Sequence, residues 1–298
     1  SISPAVIMDR ISLASHIARA SGKTEPVFFN QEIMNASERV TSITAVFPAA
    51  IAKKEFKVYY QPKVSLDGYT IAGAEALCRW QHNGRLITPD VFISVLERSM
   101  DICRLDFYML GEACSHIREW LDAGLKPVRV SVNLSRRHLS DIDLTKHIIS
   151  IIDSYDVPHE LIEIELTETT TDIELFNLKR IITELQRAGL YVSVDDFGIG
   201  YSSLNLIKDI PWNVLKLDKS LIPDLKNDAD NRNQMLFKYV IAMAQAMGLE
   251  CIAEGVETPE QVEMLREYSC KLAQGYIFDK PLPKEEFEQK LSGHIYSI

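Results

Sequence analysis

The chain has 298 residues, of which 46% are hydrophobic and 25% charged, an ordinary globular balance that excludes collagen-like, low-complexity and disordered classes. Its formal net charge of -10 excludes a protein that coats long DNA or RNA, because neutralising many phosphates requires clustered Lys and Arg. The longest apolar run, around residues 43–52, is broken by Thr44 and Pro48 and is too short to span a bilayer, so no membrane contact is expected.

In chain order, a helix-like stretch from Ile11 to Ala20 precedes Gly22 and a second, weaker helix before Lys53. Residues 1–50 therefore read as an appendage and 51–298 as the main domain. Strands are predicted at Lys57–Gln61 and Tyr69–Ala74, joined through Asp67-Gly68, a dipeptide that suits a hairpin turn. Helical periodicity from Asp101 to Trp120 then leads to a strand starting at Val128. Further strands are predicted at Leu161–Leu166, Tyr191–Asp195, Val214–Leu217, Cys251–Ala253 and Leu272–Tyr276. Helices at Leu144–Ile152, Leu175–Ala188, Gln234–Met247 and Pro259–Glu267 separate them, with Gly189 and Gly248 as stops. So many strand-helix units imply an α/β fold of the (β/α)8 TIM-barrel type. An open doubly wound sheet is the alternative, and it is disfavoured because no GxGxxG follows an early strand. The opening hairpin departs from a purely parallel barrel, since parallel neighbours need a long crossover.

Each predicted strand after the first ends on or beside a group that can bind a cation or move a proton: Glu75, Asn133, Glu165, Asp195-Asp196, Lys216 with Asp218, Glu254 and Gln274. In a barrel these ends form one rim. Side chains alternate along a strand, which puts Ser131 with Asn133, Glu163 with Glu165, and Lys216 with Asp218 on common faces. Any one acid alone reads as a surface group or a turn cap. Their recurrence at one strand end after another points to one site. Inward carboxylates must be paired or coordinate a cation, and an oxygen-only donor set suits magnesium or manganese better than zinc or copper. The five cysteines form no CxxC pair, which fits reduced thiols and a cytoplasmic location, and the seven histidines form no HExxH.

The runs YYQPKV from Tyr59, EALCRW from Glu75, SVNLS from Ser131, ELTE from Glu165, DDFGIGYSSL from Asp195, KLDKS from Lys216, AEGVET from Ala253 and QGYIFDKPLP from Gln274 resemble, in order, the EAL domain of cyclic di-GMP phosphodiesterases. The resemblance implies a barrel whose first strand runs antiparallel to the rest, and hydrolysis of cyclic di-GMP to linear 5'-pGpG with two magnesium or manganese ions per site. It assigns Glu75, Asn133, Glu165, Asp195 and Asp196 to the metals. Lys216, Glu254, Gln274 and the loop-anchoring Glu168 fall to catalysis, and Gln61, Leu77, Arg79 and Asp218 to the substrate. It leaves room for a homodimer. A non-hydrolysing cyclic di-GMP receptor is the alternative, and such domains typically lose metal ligands, whereas every ligand position is filled here. Ile199 departs from the family's threonine in the loop after Asp195-Asp196. The extreme N-terminus, from Asp9 to Phe29, faintly resembles the end of a GGDEF domain.

Overall fold

The computed structural model describes residues 7–8, 10, 11, 15, 31–167, 172–198, 204–223 and 232–297. Most of the expected helix at 11–20, the loop around Ile199, and Glu168 lie outside the described residues.

Eight strands close a barrel. They are β1 (Phe56–Ser65), β2 (Ile71–His82), β4 (Arg129–Asn133), β5 (Ile162–Thr167), β6 (Tyr191–Phe197), β7 (Val214–Leu217), β8 (Glu250–Ala253) and β9 (Leu272–Gln274). Two short strands sit outside the ring: β3 (Arg85–Ile87) extends the β2 edge, and β10 (Leu282–Pro283) pairs with β1. Strand β1 runs antiparallel to both of its barrel neighbours, with Gln61 opposite Glu75 on β2 and Lys63 opposite Gln274 on β9. All other barrel pairings are parallel. The hairpin thus accounts for the one reversed strand, as expected from Asp67-Gly68. Its left-handed residue, however, is Tyr69 (φ 54°).

The connecting helices are α1 (Gln31–Ala52), α2 (Pro89–Leu96), α3 (Asp101–Asp122), α4 (Leu144–Ser154), α5 (Asp172–Arg187), α6 (Leu204–Asp209), α7 (Arg232–Ala246), α8 (Pro259–Glu267) and α9 (Lys284–Leu291). Gly189 and Gly248 follow α5 and α7 at φ 93° and 75°, conformations that end a helix cheaply only with glycine. Helix α8 begins with a capping box between Thr258 and Gln261, which satisfies the first free amides. Helix α3 buries Ile102, Leu105, Met109, Ala113, Ile117 and Trp120, the three-to-four spacing of one helical face. Ile43, Phe47 and Ala50 of α1 join the same core, with Phe47 edge-on to Phe56 of β1 at 5.7 Å.

Alternation along the strands sorts two cores. Val130, Val132, Ile162, Ile164, Leu166, Val192, Val194, Leu215 and Leu217 are buried toward the helices. Their neighbours Ser131, Glu163, Glu165, Ser193, Asp195 and Lys216 are equally buried, and they face the barrel axis. A TIM barrel ordinarily fills this interior with branched aliphatic residues. Here it is filled with charge.

Strand β1 runs on to Ser65 instead of stopping at Gln61, which takes in Lys63, and two further boundaries that bear on the site differ from the sequence reading. Strand β2 continues to His82 instead of stopping at Ala74, because pairing with β1 runs the whole way from Val64–Ile71 to Phe56–Trp80 and overrides the low strand propensity of Ala and Glu. Glu75 therefore stands within a strand. Strand β9 stops at Gln274 instead of Tyr276, because the chain turns there to hydrogen-bond the loop after β8: Val256 N–H donates to the Gln274 carbonyl and Ile277 N–H to the Val256 carbonyl. A Cβ on Gly275 would fall on the Val256 backbone. Gly275→Ala is therefore expected to destabilise the domain by about 3 kcal/mol, the upper end for overpacking; a urea-unfolding midpoint equal to wild type would rule this out.

Candidate active site

The C-terminal strand ends gather around one ammonium group. Lys216, on β7 and fully buried, has its Nζ 2.8 Å from Glu165 Oε2, 2.9 Å from Asp195 Oδ1, 2.9 Å from Glu254 Oε1 and 3.6 Å from Glu75 Oε2. These acids come from β2, β5, β6 and the end of β8. The barrel closure brings together acids up to 179 positions apart, Glu75 and Glu254. Two amides complete the group. Gln274 Nε2 donates to Glu75 Oε2 at 2.6 Å and to Gln61 Oε1 at 3.2 Å, and Asn133 Nδ2 donates to Glu75 Oε1 at 3.0 Å.

The electrostatics follow from burial set against these contacts. Burial opposes the Lys216 charge, but Asp195, Glu165, Glu254 and Glu75 outweigh it and hold its pKa well above the ordinary lysine value. Burial likewise raises Glu165, yet the ammonium groups of Lys216 and Lys63 more than reverse this, to about 2. Glu254 is pushed up to about 8 by burial, since Lys216 offsets only part and Asp195, Glu75 and Glu165 repel its charge. Burial also raises Glu75 and Asp195. Unequal partners thus divide four similar acids into one that is firmly ionised and three that hold protons more readily.

Asp195 and Asp196 are consecutive, so a regular strand would turn them to opposite faces. The β6–β7 register slips between Val194 and Phe197, and Asp196 adopts φ 59°. A bulge of this kind re-aims side chains, and strained backbone tends to collect where function needs it. Both carboxylates consequently border one cavity of about 620 Å3, together with Leu77, Asn133, Arg136 and Thr167. The Asp196 N–H donates to Asp195 Oδ1 at 2.9 Å.

Of the other expected residues, Gln61 joins the cluster through Gln274. Arg79 stands apart, its guanidinium donating to the Cys78 carbonyl at 2.8 Å and lying over the Tyr59 ring. Asp218 caps the short 3-10 turn after β7 by accepting from Ser220 N–H. Two charged residues beneath the site, Lys63 and Arg129, were not singled out from sequence, whereas Glu163, which both of them hold, was placed on the face of Glu165. Lys63 Nζ lies 3.0 Å from both Glu163 Oε1 and Glu165 Oε1, and Arg129 Nε lies 2.8 Å from Glu163 Oε2 while its Nη2 meets Glu250. The available signal was alternation: Lys63 is two residues from Gln61, and Arg129 two from Ser131, on strands whose inward faces are polar.

Among the described residues, no three acids, histidines or cysteines already stand in an arrangement that would hold a metal ion, because Lys216 draws the carboxylates onto itself. The donor chemistry nonetheless fits a hard cation: carboxylate and amide oxygens only, with Gln274 Oε1 buried and without a hydrogen bond.

A barrel with one reversed strand and an acidic, amide-lined mouth defines the class. The EAL domain model matches residues 45–281, and the chain belongs to that family, whose phosphodiesterases depend on divalent metal. It is 33% identical over 294 residues to the cyclic di-GMP phosphodiesterase NbdA of Pseudomonas aeruginosa, covering 97% of this chain and 37% of that protein. It is 34% identical over 284 residues to the signaling protein YkoW of Bacillus subtilis, covering 95% and 35%. The chain thus spans little more than a third of these relatives. Among solved structures, "PaMucR Phosphodiesterase, c-di-GMP complex" superposes with a TM-score of 0.75 at 31% identity, covering 83% of this chain and 99% of that one.

The shifts carry a pH consequence for the cation-free protein. A carboxyl raised in the fold binds its proton more tightly folded than unfolded, so stability is greatest below the unfolded value of 4.5 and declines as pH rises toward about 8 for Glu254. In chelator, urea unfolding of wild type should show that decline across this window, and Glu254→Gln should flatten it. Equal slopes in both proteins would contradict the assignment.

Proposed function

We propose that the chain hydrolyses one phosphodiester bond of cyclic di-GMP, releasing linear 5'-pGpG, at a centre that takes two magnesium or manganese ions. The observation that carries this reading is the gathering of Glu75, Glu165, Asp195 and Glu254 around Lys216 at one barrel mouth, with every acid and amide of the family's site present in the chain. Similarity to proteins named cyclic di-GMP phosphodiesterases supports the same substrate.

In this reading Glu75, Asn133, Glu165, Asp195 and Asp196 hold the cations, which would lower the pKa of bound water and neutralise phosphoryl charge. Asn133 must then present its carbonyl oxygen, a rotation of the amide that releases its bond to Glu75. Lys216 enters the reading as an ammonium, because Asp195, Glu165, Glu254 and Glu75 hold its pKa well above the ordinary lysine value in the cation-free site. It orients the attacking water and hydrogen-bonds the developing negative charge. Glu254 and Gln274 flank Lys216 and Glu75 and complete the polar wall. Arg79 supplies a two-pronged guanidinium to a phosphate once it leaves the Cys78 carbonyl. The family resemblance assigns Gln61, Leu77 and Asp218 to the remaining ligand contacts and Glu168 to anchoring the loop after Asp196. A single centre of this kind cuts one bond, which makes the linear dinucleotide the product.

The test is incubation with cyclic di-GMP and magnesium, with the product identified by chromatography. Linear 5'-pGpG should accumulate first, manganese should substitute, and calcium should not, because its bonds of about 2.3–2.6 Å exceed the roughly 2.0–2.1 Å of magnesium. Glu75→Ala should abolish turnover. Full activity of that variant in chelator-treated buffer, or a mononucleotide as the dominant early product, would overturn the reading.

A further inference from the structure

Below the mouth, the barrel axis carries an unbroken alternation of charge. Glu250 meets Arg129, Arg129 meets Glu163, Glu163 meets Lys63, Lys63 meets Glu165, and Glu165 meets Lys216. Glu165 is the joint between this column and the site. Its two oxygens are divided: Oε1 lies 3.0 Å from Lys63 Nζ and Oε2 lies 2.8 Å from Lys216 Nζ.

We infer that Lys63 is a positioning residue that ties up one oxygen of Glu165, so that the carboxylate can offer only its other oxygen to a cation, and that this restriction selects small octahedral cations over calcium. The inference rests on the proposed reading of Glu165 as a cation ligand. Three observations carry it. Lys63 is 3% exposed, and both its acid partners are 1% exposed or less, so water does not compete for these contacts. A second carboxylate, Glu163 Oε1, holds the same ammonium at 3.0 Å, and Glu163 is in turn held by Arg129, which leaves Lys63 little freedom to withdraw. The strand opposite leaves little room beside the column: at Gly73, paired with Lys63, an added Cβ would crowd the Arg129 carbonyl at 3.2 Å and come into ordinary contact with Lys63 Cδ at 3.4 Å.

The chemistry follows from coordination preferences. Calcium accepts carboxylates in one- or two-oxygen fashion at 6–8 coordination, whereas magnesium requires near-ideal octahedral geometry. With Oε1 committed to Lys63, Glu165 has only Oε2 to offer, which a cation would have to share with or take from Lys216; such a ligand serves magnesium and not the two-oxygen demand of calcium. Orienting partners of metal ligands are commonly worth about 10–100-fold in affinity.

The test is calorimetric binding of calcium and magnesium to the whole chain without nucleotide. Lys63→Met frees Glu165 Oε1, and the ratio of calcium to magnesium affinity should rise about tenfold. Loss of a positive charge strengthens binding of both divalent ions alike, so the ratio isolates the geometric effect. Lys63→Gln removes the same charge but keeps an N–H donor for Oε1, and its ratio should stay near wild type. Should Lys63→Met fail to fold, the double variant Lys63→Met with Glu163→Gln keeps the buried charge balanced and must show the same rise. An unchanged ratio in a folded Met variant, or an equal rise in the Gln variant, overturns the inference while leaving the cation reading intact. Wild-type protein that binds neither ion overturns both.

Discussion

Everything at the barrel mouth depends on the ammonium of Lys216. Four carboxylates drawn from four strands would repel one another strongly in a dry interior, and an uncompensated buried charge is among the most destabilising features a fold can carry. Lys216 resolves this by standing within 2.9 Å of three of them. It cannot neutralise all four. Burial first, and then the residual negative charge, lifts Glu254 and Glu75 above their ordinary values, and that surplus charge is the property a divalent cation would relieve. Structure without a cation and affinity for one thus come from the same imbalance.

The rest of the barrel makes that imbalance tolerable. Ordinary barrel interiors are apolar, and this one places Arg129, Glu163, Lys63 and Glu165 in sequence along the axis. Buried ion pairs contribute little net stability, because desolvation offsets their attraction. The cohesion of the domain must therefore come from its outer apolar layer, where Tyr60 stacks on Phe287 and meets Trp120 edge-on, each at 5.1 Å. The charged column contributes orientation. Its carboxylates are fixed by paired partners before any ligand arrives, which is the condition for electrostatic preorganisation.

Much of this was legible in the sequence because two simple periods generate it. Alternating strands separated by helices imply a barrel, and the barrel rule then sends Asn133, Glu165, Asp195, Lys216, Glu254 and Gln274 to one rim. Glu75 was recognised but misplaced at a strand end, because the Ala-Glu-Ala-Leu that surrounds it has weak strand propensity and only pairing with β1 extends the strand. Lys63 was hidden for a different reason. A lysine on a strand usually reaches solvent, and nothing local shows that this strand is closed on both edges. Arg79 illustrates a third limit, since its position follows from the motif whereas its bond to the Cys78 carbonyl depends on the fold.

The pair Asp195-Asp196 shows why residue identity and backbone must be read together. Two adjacent acids on a regular strand would serve opposite faces, one inside the barrel and one against the helices, where a carboxylate could not remain charged. The slip of register between Val194 and Phe197 and the left-handed Asp196 bring both to the cavity. Asp tolerates that conformation better than most residues, so the acid that serves the site also makes the bulge affordable. The same turn leads to Gly198 at φ 110°, where an added Cβ would collide with Leu221. The strained end of β6 is thus held from both sides: Asp218 N–H donates to the Phe197 carbonyl, and Leu221 closes over Gly198. A change in the packing of Leu221 is for this reason expected to shift the direction of the Asp196 carboxylate through the backbone at Gly198.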